Sequence, residues 1–86
     1  MKFRIAKITD HLGNDKARFD QTVASRVGRI VDTNQSEIMV GFHALLVCEN
    51  DKHILTTRVR RMSRGVDYIN FETDNSVYYL ERIKGE

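Results

Sequence analysis

The residues with the clearest potential for chemistry are four arginines close together in the second half of the chain, Arg58, Arg60, Arg61 and Arg64. On a β-strand, Arg58, Arg60 and Arg64 would share one face with Met62, because side chains alternate between the two faces of a strand. Arg61 would point to the other face. Guanidinium groups about 6–7 Å apart along one face have the spacing needed to follow a phosphate backbone. The cluster therefore predicts a nucleic-acid contact in which Arg61 is secondary.

Aromatic and acidic residues that follow the arginines favour two different interpretations. Tyr68 and Phe71 could stack on bases, as aromatic side chains do in proteins that bind single strands. Asp67, Glu72 and Glu81 could instead form ion pairs with the arginines. The cluster would then be a solvated strand face whose charges prevent pairing with the edge of another sheet.

Three histidines and a single cysteine are the candidate metal ligands, His11, His43, His53 and Cys48. Their spacing matches no standard zinc pattern, because the chain has neither Cys-x-x-Cys nor a His-x₃₋₅-His pair. On one strand, His43 and Cys48 would point to opposite faces. We therefore expect no metal site, surface or capping roles for the histidines, and a buried Cys48 that behaves as a small hydrophobic residue.

Acidic residues and glycines form no catalytic pattern in this sequence. The acidic residues lie mostly in turn-like segments, as at Asp10, Asp15, Asp32, Asp51 and Asp74. Such positions are typical of solvated turns. The five glycines are scattered singly, so the chain has no glycine-rich phosphate loop, and it has no nucleophile elbow. A serine–histidine–acid set assembled only in space remains open. We expect a protein without catalytic activity and without a cofactor.

Length, composition and charge limit the function classes further. The chain has 86 residues, of which 41% are hydrophobic and 30% charged, as expected for one small domain over residues 1–86. The net charge of +2 is too small to imply nucleic acid or an anionic membrane by itself. The longest nearly apolar run, residues 38–48, is too short for a bilayer, which needs about 20 residues. Residues 2–8 alternate charged and apolar side chains and predict no signal peptide, so we expect a cytoplasmic protein, in a host cell if it is viral.

Alternating apolar and polar residues predict a mainly β fold. Half-buried strands are expected over residues 2–8 and 53–60, and a C-terminal hairpin is expected with arms over 66–73 and 76–83. Asp74-Asn75 would form the two-residue turn of that hairpin, in a type I′ conformation that needs positive φ twice.

Turn residues separate most of the other elements. Turns are expected at 10–15, where Gly13-Asn14 stands, at Asp32-Thr33-Asn34-Gln35 and at Asn50-Asp51-Lys52. Short strands joined by small turns are typical of small barrels. At this length, a closed SH3-like barrel of five or six strands would hide its sheet edges, and a strongly twisted antiparallel sheet is the alternative.

Residues 15–31 allow both helix and strand. Their apolar residues fall on one helical stripe, yet Gly28 disfavours a helix by about 1 kcal/mol relative to alanine. A short helix near 15–25, capped by Asn14 or Asp20, followed by a strand near 26–32 would accommodate both signals.

Residues 37–48 form an apolar run rich in Ile, Val, Phe and Leu. The β-branched and aromatic content favours a strand with a bend or bulge at Gly41, although a buried helix would produce the same run.

Two elements in the C-terminal part carry a resemblance to known proteins. The final hairpin reads Thr73-Asp74-Asn75-Ser76-Val77-Tyr78-Tyr79-Leu80, and the strand before it contains Thr56-Thr57-Arg58-Val59. With these elements the last third of the chain resembles small uncharacterised bacterial and phage proteins, whose last hairpin carries Thr-x-Asn-Ser-x-Tyr-x-Leu after a Thr-Ser-x-Val strand. Thr57 stands where serine is usual. The resemblance implies a small SH3-like β-barrel and no particular activity.

Taken together, these patterns predict a non-enzymatic binding module that acts through contact with another protein or with a copy of itself. Tyrosine, phenylalanine and arginine are residue types that anchor interfaces. The alternative is nucleic-acid binding through the four arginines, with Tyr68 as the stacking residue.

Overall fold

Six antiparallel strands and one short helix make up the structure, a computed structural model that describes residues 1–33 and 37–84. The strands are β1 (Lys2–Thr9), β2 (Ile30–Asp32), β3 (His43–Cys48), β4 (His53–Arg64), β5 (Tyr68–Thr73) and β6 (Val77–Arg82). A 3₁₀ turn, Lys16–Arg18, and the helix α1, Gln21–Arg26, lie between β1 and β2. The strands pair in chain order and β6 returns to β1, so the sheet closes into a barrel. The prediction of a mainly β barrel with one short helix is confirmed.

The inward faces of the strands supply the core. Fully buried apolar side chains come from every strand, among them Phe3, Ile8, Val31, Leu46, Val59, Ile69, Phe71 and Leu80. The helix adds Val23 to this core. The rings of Phe71 and Tyr78 stack with their centroids 5.0 Å apart. Cys48 is buried among these residues, as predicted.

Irregularities in strand pairing let six short strands close around this core. In β1, the pairing with β6 shifts between Ile5 and Lys7, which puts Ile8 inside. Strict alternation from Phe3 and Ile5 would have put Ile8 outside. Such β-bulges bend and twist a strand locally, as barrel closure requires.

Strand β4 contains two register shifts, because it pairs with two neighbouring strands. Its first half pairs with β3, from His53 to Arg58, and its second half pairs with β5, from Val59 to Arg64. The second shift lies between Val59 and Arg61, at the point where the strand changes partner.

The ambiguous segment after the first loop contains both a helix and a strand. Asp20 caps α1, as predicted, and its Oδ1 accepts hydrogen bonds from the N–H groups of Thr22 and Val23 at 2.9 and 3.2 Å. The predicted start of the strand near residue 26 is wrong, because β2 begins only at Ile30. Gly28 explains the delay: it has a φ of +89°, in the left-handed region that ends helices and that other residues avoid.

The apolar run forms a shorter strand than predicted. Its strand β3 begins at His43 rather than at 37, and the chain bends at Gly41, which has a φ of +95°. The predicted turn at residues 50–52 is confirmed. Part of the predicted turn at 32–35, Asn34 and Gln35, lies outside the described residues.

The final hairpin has its turn at the predicted place but in another conformation. The N–H of Thr73 donates to the carbonyl of Ser76 at 2.7 Å, so Asp74-Asn75 is the two-residue turn. The prediction of positive φ at both positions is wrong, because Asp51 is the one described non-glycine residue with positive φ. A side chain holds the turn instead: the Thr73 hydroxyl accepts from the N–H groups of Asn75 and Ser76 at 3.3 and 3.1 Å.

Replacing Thr73 tests this account of the turn. Thr73 is 1% exposed, so Thr73→Val should leave two amides without their acceptor and lower the free energy of unfolding by about 1–3 kcal/mol. Thr73→Ser keeps the hydroxyl and should lose about 0.8 kcal/mol, the value of one buried methyl group. Urea denaturation of both variants measures the difference, and equal losses would contradict the proposed role of the hydroxyl.

Candidate functional site

The outer side of the β3–β4 pair is the most apolar exposed surface among the described residues. Leu45 and Leu55 stand directly opposite each other in this pair and are 50% and 64% exposed. Val47, two residues further along β3, is 38% exposed. We call these three residues the apolar face.

Strand β3 is apolar on both of its sides, which explains how this face arises. Exposed and buried residues alternate along the whole strand, with Ala44, Leu46 and Cys48 directed into the core. A solvated outer face would normally carry polar residues at the alternate positions. Here those positions carry Leu45 and Val47, so the strand is suited to being covered on both sides.

The chain just before β3 adds further exposed apolar side chains, at Met39, Val40 and Phe42. They are 50%, 56% and 61% exposed, respectively. Sequence reasoning did not single out any of these residues as a site. The sequence signal for this surface was the run Leu45-Leu46-Val47. Side chains alternate along a strand, so if Leu46 points into the core, Leu45 and Val47 must point outward.

Histidines lie at the two ends of the apolar face. His43 stands opposite Arg58, and His53 stands opposite Val47. The Nδ1 atom of His43 lies 2.8 Å from the carbonyl oxygen of Thr56, which can only accept, so Nδ1 donates. The expected surface role of His43 is confirmed, and its exposure on the strand that buries Cys48 agrees with their predicted opposite faces.

The predicted stripe of arginines is divided by the register shift in β4. Arg58 lies on the outer side, opposite the exposed His43. Arg64 lies opposite the buried Ile69, on the inner side of the strand and at its end. The prediction that Arg58 and Arg64 share a face is wrong, because the extra residue inserted between Val59 and Arg61 reverses the alternation.

Two of the four arginines converge on one carboxylate. Arg58 Nη2 and Arg60 Nε lie 3.9 and 3.8 Å from the same oxygen, Oδ1 of Asp74. Two of the three acids that the sequence suggested as partners have other neighbours: Asp67 pairs with Lys84, and Glu81 pairs with Arg4. Asp74, in the turn between β5 and β6, was missed because it lies close to the arginines only in space.

Arg61 and Tyr68 lie on a different surface, the outer side of β4, β5 and β6. Arg61 stands opposite Glu72, and Tyr68 stands opposite Glu81. Tyr68 packs on Gly65, where an added Cβ would collide with its ring. The structure therefore separates the predicted site residues into an Asp74-linked pair, one residue at the end of β4, and two on this outer surface.

The clustered acids near the helix are occupied by local hydrogen bonds. Asp10, Asp15 and Asp20 line one open groove. Asp15 caps the 3₁₀ turn and Asp20 caps α1. Hydrogen bonds, above all from the backbone N–H of Asn14, lower the pKa of Asp10 below its usual value of 3.8. Within residues 1–33 and 37–84, no group of three or more His, Cys, Asp or Glu residues is placed to hold a metal ion.

Comparisons with known proteins identify no family for this chain. No protein-family model, curated protein or solved structure matches the chain. In the described part of the chain, no helix combines the length and the apolar character needed to cross a membrane.

The shared carboxylate leads to a prediction about stability. Asp74→Asn should change the free energy of unfolding by less than about 1 kcal/mol, because both ion pairs are exposed and exposed pairs contribute little. Urea denaturation at low and high salt measures this. A loss comparable to that of Thr73→Val, at the start of the same turn, would contradict the view that these ion pairs are structurally minor.

Proposed function

We propose that this chain is a non-enzymatic binding module that acts through protein–protein contact, with the apolar face as its contact surface. The observation that carries the proposal is the pair of facing leucines, Leu45 and Leu55, which are at least half exposed on the outside of a closed barrel. Burying apolar surface is worth about 25 cal/mol per Å². Monomeric proteins rarely leave a contiguous apolar patch of several hundred Å² in water, and such patches mark interaction sites.

The occupant that fits this face best is a second copy of the chain. Around the facing leucines, the outward residues are Leu45, Val47, His53 and Leu55, none of which is an acid, lysine or arginine. Arg58, opposite His43 at the end of the strand pair, is the one fixed charge on this side of the pair, and it lies near Asp74. A two-fold contact places each patch against its own copy, so a face without fixed charges avoids the like-charge repulsion that such symmetry creates.

A homodimer contact would extend beyond the three residues of the apolar face. A standard interface buries about 800 Å² on each partner, and homodimer interfaces are more apolar than transient ones. The apolar face would supply the centre of such a contact, and the preceding residues Met39, Val40 and Phe42 would supply further apolar area beside it.

We also propose that the barrel is SH3-like and that the protein is cytoplasmic, each on the basis of one feature of the sequence. The motif at 73–80, with its resemblance to small bacterial and phage proteins, supports an SH3-like assignment for the barrel. The single cysteine, Cys48, has no partner for an intrachain disulfide, which agrees with a cytoplasmic location.

Leu45→Glu tests the proposal directly. The wild-type protein should dimerise in sedimentation velocity at micromolar concentrations, and Leu45→Glu should be monomeric, because two carboxylates would be buried in the contact. Leu45 is half exposed in the single chain, so the variant should remain folded.

Ser63→Glu is the matched control, since Ser63 is an exposed residue on the outer side of the second half of β4. It should dimerise like the wild type. A wild-type protein that stays monomeric to millimolar concentration, or equal dissociation of both variants, would overturn self-association through the apolar face.

Nucleic-acid binding is the second candidate, and a specific arrangement favours it. Tyr68 and Tyr79 line one groove on the outer side of β5 and β6, and Lys7 Nζ lies 4.6 Å from the centre of the Tyr79 ring. Arg61 lines the adjoining groove with Tyr79. Two aromatic rings with nearby cations are the parts of a platform for single-stranded nucleic acid.

Binding of a labelled single-stranded oligonucleotide, measured by fluorescence anisotropy, tests this second candidate. It predicts salt-dependent binding at about 50 mM salt, with a slope that falls by about 0.7 when Arg61→Gln removes one phosphate contact. Arg18→Gln makes the same charge change in the 3₁₀ turn, outside both grooves, and should leave the salt slope unchanged. Absent or salt-independent binding by the wild type would exclude this function.

A further inference from the structure

A polar cleft of about 250 Å³ lies between α1, the first half of β4 and the turn that joins β5 to β6. The side chains that matter in its wall are Lys16, Arg26, Thr57, Ser76 and Tyr78. It adjoins the apolar face at Leu55, which also lines it, but its other walls are formed by polar residues from separate parts of the chain.

Two half-buried cations in this cleft are bound only to neutral groups. Lys16 Nζ donates to the carbonyl of Asn75 at 3.1 Å and to Ser76 Oγ at 2.9 Å. Arg26 Nη1 donates to Tyr78 Oη at 2.9 Å. No acid in the described part of the chain forms an ion pair with either cation.

The acid that does line the cleft is already engaged. Asp20 accepts from the first amides of α1 through Oδ1, which is its capping role. With Lys16 and Arg26 against one carboxylate, Asp20, the lining of the cleft still carries a net positive charge in a place partly shielded from water, which attracts an anion.

The hydroxyl groups in the cleft add hydrogen-bond donors. Ser76 Oγ and Tyr78 Oη each accept a hydrogen bond from a cation, so the hydrogen of each hydroxyl is left to donate elsewhere. No acceptor for either hydrogen is found among the described residues. Thr57, in the same wall, contributes the one buried side-chain oxygen that lacks a hydrogen-bond partner within residues 1–33 and 37–84.

We propose that this cleft is a binding site for a small oxyanion, a phosphate or carboxylate group. Lys16 and Arg26 provide its charge complement, and the hydroxyls of Ser76 and Tyr78 donate to its oxygens. These donors suit an acceptor-only ligand, since hydrogen bonds to a charged partner are the stronger ones. The volume lies just below the 300–1,000 Å³ typical of ligand pockets, so the group belongs to a ligand smaller than a nucleotide.

The proposal is tested by following backbone amide signals in NMR titrations with sodium phosphate and with sodium acetate. Sodium chloride at matched ionic strength corrects for screening. The expected result is saturable shifts confined to α1 and to residues 75–78. Saturation by phosphate alone identifies a phosphate site, whereas comparable saturation by acetate identifies a general carboxylate or phosphate site.

Substitutions assign the binding to the cleft. Arg26→Gln should weaken anion binding about tenfold or more, the effect of losing one charge-assisted hydrogen bond. Arg26→Lys should restore part of it, and Lys16→Gln provides an independent loss if the first variant is unstable. Arg82→Gln, which removes the same charge at the exposed end of β6, outside the cleft, should bind like the wild type.

Three outcomes would overturn the proposal. These are shifts that stay linear up to about 50 mM phosphate, far above a millimolar Kd, shifts that chloride reproduces, and equal weakening by Arg26→Gln and Arg82→Gln. The self-association test is independent of all three, because it rests on Leu45, which does not line the cleft.

Discussion

Pairing between the first and the last strand is the constraint on which the rest of this structure depends. Without the contact between β1 and β6, both strands would present unpaired backbone groups at exposed edges, which promote aggregation. Closure with only six short strands requires sharp local bends, and the register shifts in β1 and β4 supply them. These shifts decide which side chains point outward, so the closure of the barrel also determines its surfaces.

The surfaces produced in this way have different physical characters. The first half of β4 pairs with the doubly apolar β3 and contributes Leu55 to the apolar face, with Arg58 at the end of the same strand pair. The second half of β4 turns Arg61 and Ser63 towards a mixed polar surface. Between these two regions, where β4 leaves β3 for β5, the helix and the final turn enclose a cleft with Lys16 and Arg26 in its wall. The proposed protein contact and the proposed small-ligand site therefore adjoin each other and share one side chain, Leu55.

The class of fold was predictable because alternation and turn residues are local signals. The strand at 53–60, the turn at Asn50-Asp51-Lys52 and the position of the last hairpin turn all follow from neighbouring residues. The stripe of arginines was not predictable, because a single inserted residue near Arg60 reverses the alternation and only the pairing with β5 reveals it. Asp74 and the cleft were missed for the same reason: Lys16, Arg26 and Ser76 are distant in the sequence.

Closure of the barrel through β1 and β6 has a consequence for folding during synthesis. Phe3 pairs with Arg82, so the barrel cannot close until β6 has been synthesised and has left the ribosome. Before β6 is available, the edge of β1 that it covers is unpaired, while the apolar residues of β3 have already been synthesised. Contacts of such long sequence separation form slowly and leave a nascent chain exposed to aggregation.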